Sequence, residues 1–79
     1  MQNGITNELG KVARRRRKSL DLNQEQLGDL AGCGRLFVSQ FENGKPGVRF
    51  DKVLNVLQAL GLELHVRSGS QGLVVDQNA

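Results

Sequence analysis

Two groups of residues in this sequence have types and spacing that could do chemistry. The first is a basic run, Arg14-Arg15-Arg16-Arg17-Lys18, inside a stretch that also reads as a helix. Like charges in a block repel and are costly to pack, so a purely structural role for all of them is hard to supply. The chemistry they offer is phosphate binding, in which each contact releases condensed counterions. Their charge is not offset nearby: residues 1–18 hold six basic side chains against one acid, Glu8, whereas residues 19–79 hold five against seven. The second group is Arg35, Leu36, Ser39 and Gln40, which share the outward face of a short helical stretch. It combines a strong donor, two hydrogen-bonding groups suited to base edges, and an apolar side chain suited to a thymine methyl. A merely solvated helix would show Glu and Lys there instead.

The other reactive side chains stand alone. The one cysteine, Cys33, makes no internal disulfide, and no Cys/His cluster has the spacing of a metal site. His65 is a single residue on an alternating stretch, and Asp51 near a helix start favours the helix dipole. No Ser/His/Asp set, phosphate loop or carboxylate pair is present, so neither catalysis nor a cofactor is expected. Three Phe and no Trp or Tyr argue against the stacking platforms of single-strand binders. With 79 residues there is room for one small domain. A chain of this size buries only about 60% of its unfolded surface, which favours oligomerisation. No apolar run approaches ~18 residues, which excludes a membrane span. The start MQNGITNELG lacks the basic-then-apolar order of a signal peptide, so a cytoplasmic module is expected.

Periodicity places these residues on elements. A first helix is predicted over about 7–19, with Ile5, Leu9, Val12, Ala13 and Leu20 at helical spacing. Asp21-Leu22 breaks it. Asn23 then caps a second helix over 24–31, with Gln26 completing a capping box and Leu27, Leu30 and Ala31 turned inward. Gly32 stops it, and Cys33-Gly34 is a tight turn. A third helix over 35–42 points Phe37, Val38 and Phe41 inward. The stretch Asn43-Gly44-Lys45-Pro46-Gly47 is a loop. A fourth helix over 50–60 is expected to bury Phe50, Val53, Leu54, Leu57 and Leu60, with Gly61 closing it and Leu62 folding back on Leu57. Leu62, Leu64 and Val66 alternate with polar residues and read as a strand over 62–67. A strand so short needs a partner: either Leu73-Val74-Val75 or the same strand of a second copy. The polar end favours the second, so residues 1–67 are taken as the domain and 68–79 as a flexible tail.

Two short helices joined by Gly32-Cys33-Gly34 match a helix-turn-helix, whose second helix must stand proud to enter a major groove about 12 Å wide. The segment LNQEQLGDLAGCGRLFVSQFENGKP resembles the Xre-type, phage-repressor-like helix-turn-helix family. The matching residues are Leu22-Asn23-Gln24, Glu25, Leu27, Ala31-Gly32, Val38-Ser39 and Phe41-Glu42-Asn43-Gly44, with Leu9-Gly10 and Arg17 upstream. The likeness covers about residues 9–61. The C-terminal part, VRFDKVLNVLQALGLELHV, is similar to HipB-type antitoxins, in which a strand after the last helix pairs with its copy.

That resemblance implies a mainly α, four- to five-helix repressor-like domain with a short C-terminal β-strand pairing across a dimer through Leu62, Leu64 and Val66. It implies a repressor that binds palindromic double-stranded DNA as a homodimer, autoregulates its operon and pairs with a HipA-like serine/threonine kinase toxin in the cytoplasm, nucleoid-associated, of a bacterium. A phage-type repressor without a toxin, or a helical protein-interaction module, are the alternatives. Gln24, Arg35, Leu36, Ser39 and Gln40 match base-reading positions, Gln24 also touching a phosphate. Asn43, Gly44 and Lys45 match a loop that clamps the backbone through side chain and peptide N–H groups; Asn23, Arg14, Arg15 and Arg49 are further phosphate candidates. Arg17 and Glu42 match an internal ion pair. Five positions depart from the family pattern. Gly34 replaces a Ser or Thr cap, and glycine caps nearly as well. Gly28 replaces an Ala and permits close helix packing. Arg16 stands at an apolar position, its stem expected over the core and its head in water. Cys33 replaces a core Val and is expected as a buried inert thiol. Arg49 stands where a small polar cap belongs.

Overall fold

Four helices, α1 (Gly4–Ser19), α2 (Gln24–Ala31), α3 (Gly34–Glu42) and α4 (Phe50–Ala59), precede two short strands, β1 (Glu63–Val66) and β2 (Leu73–Asp76), in a computed structural model that describes residues 4–66, 68 and 73–76. The core draws on all four helices: Leu9 and Ala13, Leu27 and Ala31, Val38 and Phe41, then Val53, Val56, Leu57 and Leu60, closed by Leu62. At roughly 25 cal/mol per Å² of apolar surface removed from water, this cluster is the main stabilising term. Among the described residues, no helix is long and apolar enough to cross a membrane.

Local chemistry accounts for where the helices stop. Asn23 Oδ1 accepts from the Gln26 N–H at 2.7 Å while Gln26 Oε1 accepts from the Asn23 N–H at 2.9 Å, which completes the capping box. Each helix ends on a residue of positive φ followed by an N–H that reaches back five positions: Leu22 to Arg17, Cys33 to Gly28, Lys45 to Gln40 and Leu62 to Leu57. This arrangement satisfies carbonyls that the helix itself leaves unpaired. Three of the four positive-φ residues are glycines, and Asp21 at φ 58° is the exception, an acidic residue in a conformation Asp tolerates better than most.

Close approach fixes how the helices pack. A Cβ at Gly28 would stand 2.5 Å from the Gly34 carbonyl carbon and 2.9 Å from the Arg35 nitrogen, so α2 and α3 cross backbone on backbone there. A Cβ at Gly10 would run into the Phe41 carbonyl oxygen, and α1 lies equally close on α3. Both glycines stand where a larger residue would force helices apart.

Several apolar residues sit differently from the sequence expectation. Leu30 is 64% exposed and Phe50 60% exposed, and Leu54 and Leu20 also face outward, whereas Val56 is fully buried. The sequence of α4 offers two overlapping stripes, one through Phe50 and Leu54 and one through Val53, Val56, Leu57 and Leu60. Packing selects the second. On α2 the close approach at Gly28 rotates the buried face toward Leu27, Gly28 and Ala31, which turns Leu30 out. Cys33 is half-buried rather than buried, packs against the core, and its thiol pKa is raised by burial despite the nearby positive charge of Lys52. The Arg16 head does not stay in water: its Nε donates to the Leu60 carbonyl oxygen at 2.9 Å, tying α1 to the end of α4. Ile5 lies in α1, but its side chain falls outside the described residues.

β1 and β2 pair antiparallel, Glu63 with Asp76 through Val66 with Leu73. Within the chain β1 therefore has the first of the two partners that the sequence leaves open, and β2 lies within the stretch set apart as a tail. Leu62 precedes β1 and is buried in its own chain, Leu64 is half-buried, and Val66 is 74% exposed. Leu62 is therefore part of the monomer's core.

Candidate nucleic-acid interface

The site is built on α3, and the question is what holds α3 still. Its inner face, Val38 and Phe41, is fully buried, and the Phe37 ring lies 6.1 Å from that of Phe41, with the Lys52 ammonium over the Phe37 ring at 5.7 Å from its centroid. Beneath this sits a buried polar knot. Arg17 Nε donates to Glu42 Oε2 at 2.7 Å and its Nη2 to Glu42 Oε1 at 3.1 Å, a two-pronged pair that joins α1 to the end of α3. Arg17 Nη1 also donates to the Leu22 carbonyl oxygen at 2.8 Å. Gln24 Nε2 donates to Glu42 Oε1 at 3.1 Å, which brings the first turn of α2 into the same knot. No buried side-chain polar atom among the described residues lacks a partner. A satisfied network of this kind fixes one geometry, because every member would be costly to leave unpaired.

With the inner face so held, the outer face of α3 is left for other partners. Arg35 and Leu36 are exposed, Ser39 and Gln40 half-exposed, and none of the three polar side chains has a hydrogen-bond partner within the described residues. The donors and acceptors on this ridge are those that read base edges in a major groove. Gln24 differs from them. Its amide nitrogen is engaged with Glu42, so it positions α2 and offers a ligand its carbonyl oxygen and the remaining N–H.

The flanking loop contributes less backbone than the sequence suggests. The Gly44 N–H donates to the Phe41 carbonyl at 3.0 Å and the Lys45 N–H to that of Gln40 at 3.0 Å. Gly44 is buried, at φ 78° and against Asn7, where a side chain would find neither the backbone conformation nor the room. Both N–H groups are therefore taken up by the end of α3, and what the loop presents outward is the side chains of Asn43 and Lys45, both exposed. Asn23 is likewise engaged as a cap through its Oδ1. Arg49 occupies the N-cap position of α4 without a cap bond and is bound to Asp51 by two hydrogen bonds of 3.1 and 2.7 Å. The Arg49 guanidinium holds the Asp51 carboxyl below its ordinary pKa, first by its hydrogen bond. Arg49 is thus a partly neutralised cation.

Arg14 and Arg15 are exposed on α1, and with Lys11 and Lys18 they line one shallow concavity. Lys18 was legible as the end of the basic run and Lys11 as a contributor to net charge; the helical register is the signal that puts both beside the arginines. His65 meets Glu63 at 3.0 Å on the surface of β1. Among the described residues, no group of His, Cys, Asp and Glu could hold a metal ion.

Two short helices joined by a glycine turn, the second presenting an uncommitted polar ridge, define a helix-turn-helix protein. The chain belongs to the helix-turn-helix domain family, whose model matches residues 8–68. It is similar to y4mF of Sinorhizobium fredii (strain NBRC 101917 / NGR234), named as an uncharacterized HTH-type transcriptional regulator. The two are 39% identical over 59 residues that cover 75% of this chain and 78% of the relative.

Proposed function

We propose that this protein is a sequence-specific, double-stranded-DNA-binding transcriptional repressor, reading bases with Arg35, Leu36, Ser39 and Gln40 and holding phosphates with Asn43, Lys45, Arg14 and Arg15. The observation that carries this reading is the exposed, unpaired polar ridge of α3 on a helix whose opposite face is fixed by the core and the Arg17–Glu42 pair. Family membership and a relative named as a transcriptional regulator support it. Selection from a random duplex pool is the test. One enriched motif is expected; Arg35→Ala should cost about 1–3 kcal/mol on that motif and relax one base pair, while Lys45→Ala weakens all sequences alike. A pool without a common motif overturns the reading and leaves the protein-interaction alternative.

The same reading takes the protein as a homodimer on a palindromic operator, with two α3 helices about one turn, ~34 Å, apart. β2 covers one edge of β1, and an isolated two-stranded sheet is marginal, so continuation across a two-fold axis is favoured. Beside it lies a hollow of about 350 Å³ lined by Leu54, Leu57, Leu62 and Leu64 together with Gln58, Glu63 and His65, which a second copy would cover. Truncation after Leu62, which keeps that core residue, should lower both sedimentation mass and operator affinity. Within this function we take the likeness of the C-terminal segment to HipB-type antitoxins as support for an autoregulating antitoxin of a HipA-like serine/threonine kinase toxin. A kinase encoded beside the gene should then co-purify with the protein; no such neighbour leaves a phage-type repressor. A cytoplasmic, nucleoid-associated location follows from either role.

A further inference from the structure

The described basic side chains divide by whether the protein itself already uses them. Arg16 is held by the Leu60 carbonyl, Arg17 by Glu42 and Leu22, Arg49 by Asp51, and Lys52 lies over the Phe37 ring. Six have no such partner: Lys45 in the loop, Arg35 on α3, and Lys11, Arg14, Arg15 and Lys18 on α1. Most of the uncommitted positive charge therefore lies on α1 and not on the helix that reads bases.

The four α1 cations are one surface. They are spaced at three- and four-residue steps, which puts neighbours on one helix face, and they line a common concavity of about 340 Å³. Leu9, Ala13 and Arg17 on the other face are buried. At 1.5 Å per residue the stripe from Lys11 to Lys18 is about 10 Å long, enough for more than one phosphate of a strand. Its N-terminal end is located by Asn7, which lies one turn before Lys11 in the row Asn7, Lys11, Arg14, Lys18. A Cβ at Gly44 would stand 2.6 Å from Asn7 Oδ1 and 3.5 Å from its Cα, so this row begins directly against the loop that carries Asn43 and Lys45.

We propose that Lys11, Arg14, Arg15 and Lys18 form a phosphate track that continues from the Asn43–Lys45 loop along α1, follows the backbone of the same duplex that receives α3, and supplies most of the sequence-independent affinity. The proposal rests on the DNA-binding reading and adds Lys11 and Lys18 to it. It divides the labour: α1 sets affinity and its salt dependence, and α3 sets sequence.

The test compares the full chain with the variant Lys11→Gln/Arg14→Gln/Arg15→Gln/Lys18→Gln, using a duplex of random sequence and the motif enriched by the unsubstituted chain. All four side chains are exposed and unpartnered, and unchanged helicity by circular dichroism checks the fold; the pair Arg14→Gln/Arg15→Gln gives a milder second variant. The slope of log K against log salt should become shallower by roughly 0.9 per cation that meets a phosphate, so by about 3–4 in the fourfold variant and about 2 in the pair. The enriched motif should stay the same. An unchanged slope in a variant that still binds the motif overturns the track and leaves the stripe to another anion, such as an acidic protein face. An unsubstituted chain that binds neither duplex overturns the DNA-binding reading itself, and the track with it.

Discussion

The seam between α1 and α3 and the start of α4 each carry an arginine–carboxylate pair at 2.7 Å, yet the two pairs are not equivalent. The Arg17 and Glu42 side chains are 10% and 2% exposed; those of Arg49 and Asp51 are 68% and 63% exposed. In the first region water is excluded, each charge depends on the other, and Leu22 and Gln24 add one further hydrogen bond to each partner. In the second, water competes for every bond and salt screens what is left. Distance alone therefore says nothing about the importance of an ion pair. Burial decides it, and burial here coincides with the joint that holds α3 in place.

The largest effect should come from breaking the buried pair. Glu42→Ala leaves Arg17 charged and unpaired in the interior, and should cost about 3–5 kcal/mol by urea denaturation, with a loss of folded helix signal near ambient temperature. A loss below about 1 kcal/mol would place this pair with the exposed one and end the contrast. Next comes the packing that shuts water out of the seam. Gly10→Ala gains about 1 kcal/mol of helix propensity but forces α1 off the Phe41 carbonyl, and should destabilise by about 1–3 kcal/mol net. A more stable variant would show that the seam has slack. The smallest effect belongs to the exposed pair. Arg49→Ala should leave the denaturation midpoint unchanged while the Asp51 carboxyl, followed by NMR titration, moves up toward its ordinary range. The folded pKa of Asp51 is depressed, so any stability it lends is present above the ordinary carboxylate range and is lost as pH falls through the folded value. Raising salt should shrink that shift in the unsubstituted chain and leave the Arg17–Glu42 pair in place.

The same contrast separates what could be read from the sequence from what could not. The capping box at Asn23 and Gln26, the stops at Gly32 and Gly61, and the bounds of α2 are encoded locally, by residues within five positions of one another. The Arg17–Glu42 pair spans 25 positions and was legible only through resemblance to a family; nothing in the spacing of the two residues indicates that their side chains meet. The polar ridge of α3 was likewise legible as a pattern of residue types, but its availability depends on which of its hydrogen bonds the fold already uses.

Local pattern determined the helix-turn-helix, the polarity of the α3 ridge and the concentration of charge on α1, because each depends on identity and on helical spacing alone. Tertiary packing decided that Val56 and not Phe50 or Leu54 enters the core, that Leu30 turns out, and that Arg16 bonds to Leu60. Each of those choices lies between alternatives that periodicity alone leaves nearly equal in energy. What separates them is where a neighbouring backbone can approach, as it does at Gly10 and Gly28, and that is a property of the assembled helices.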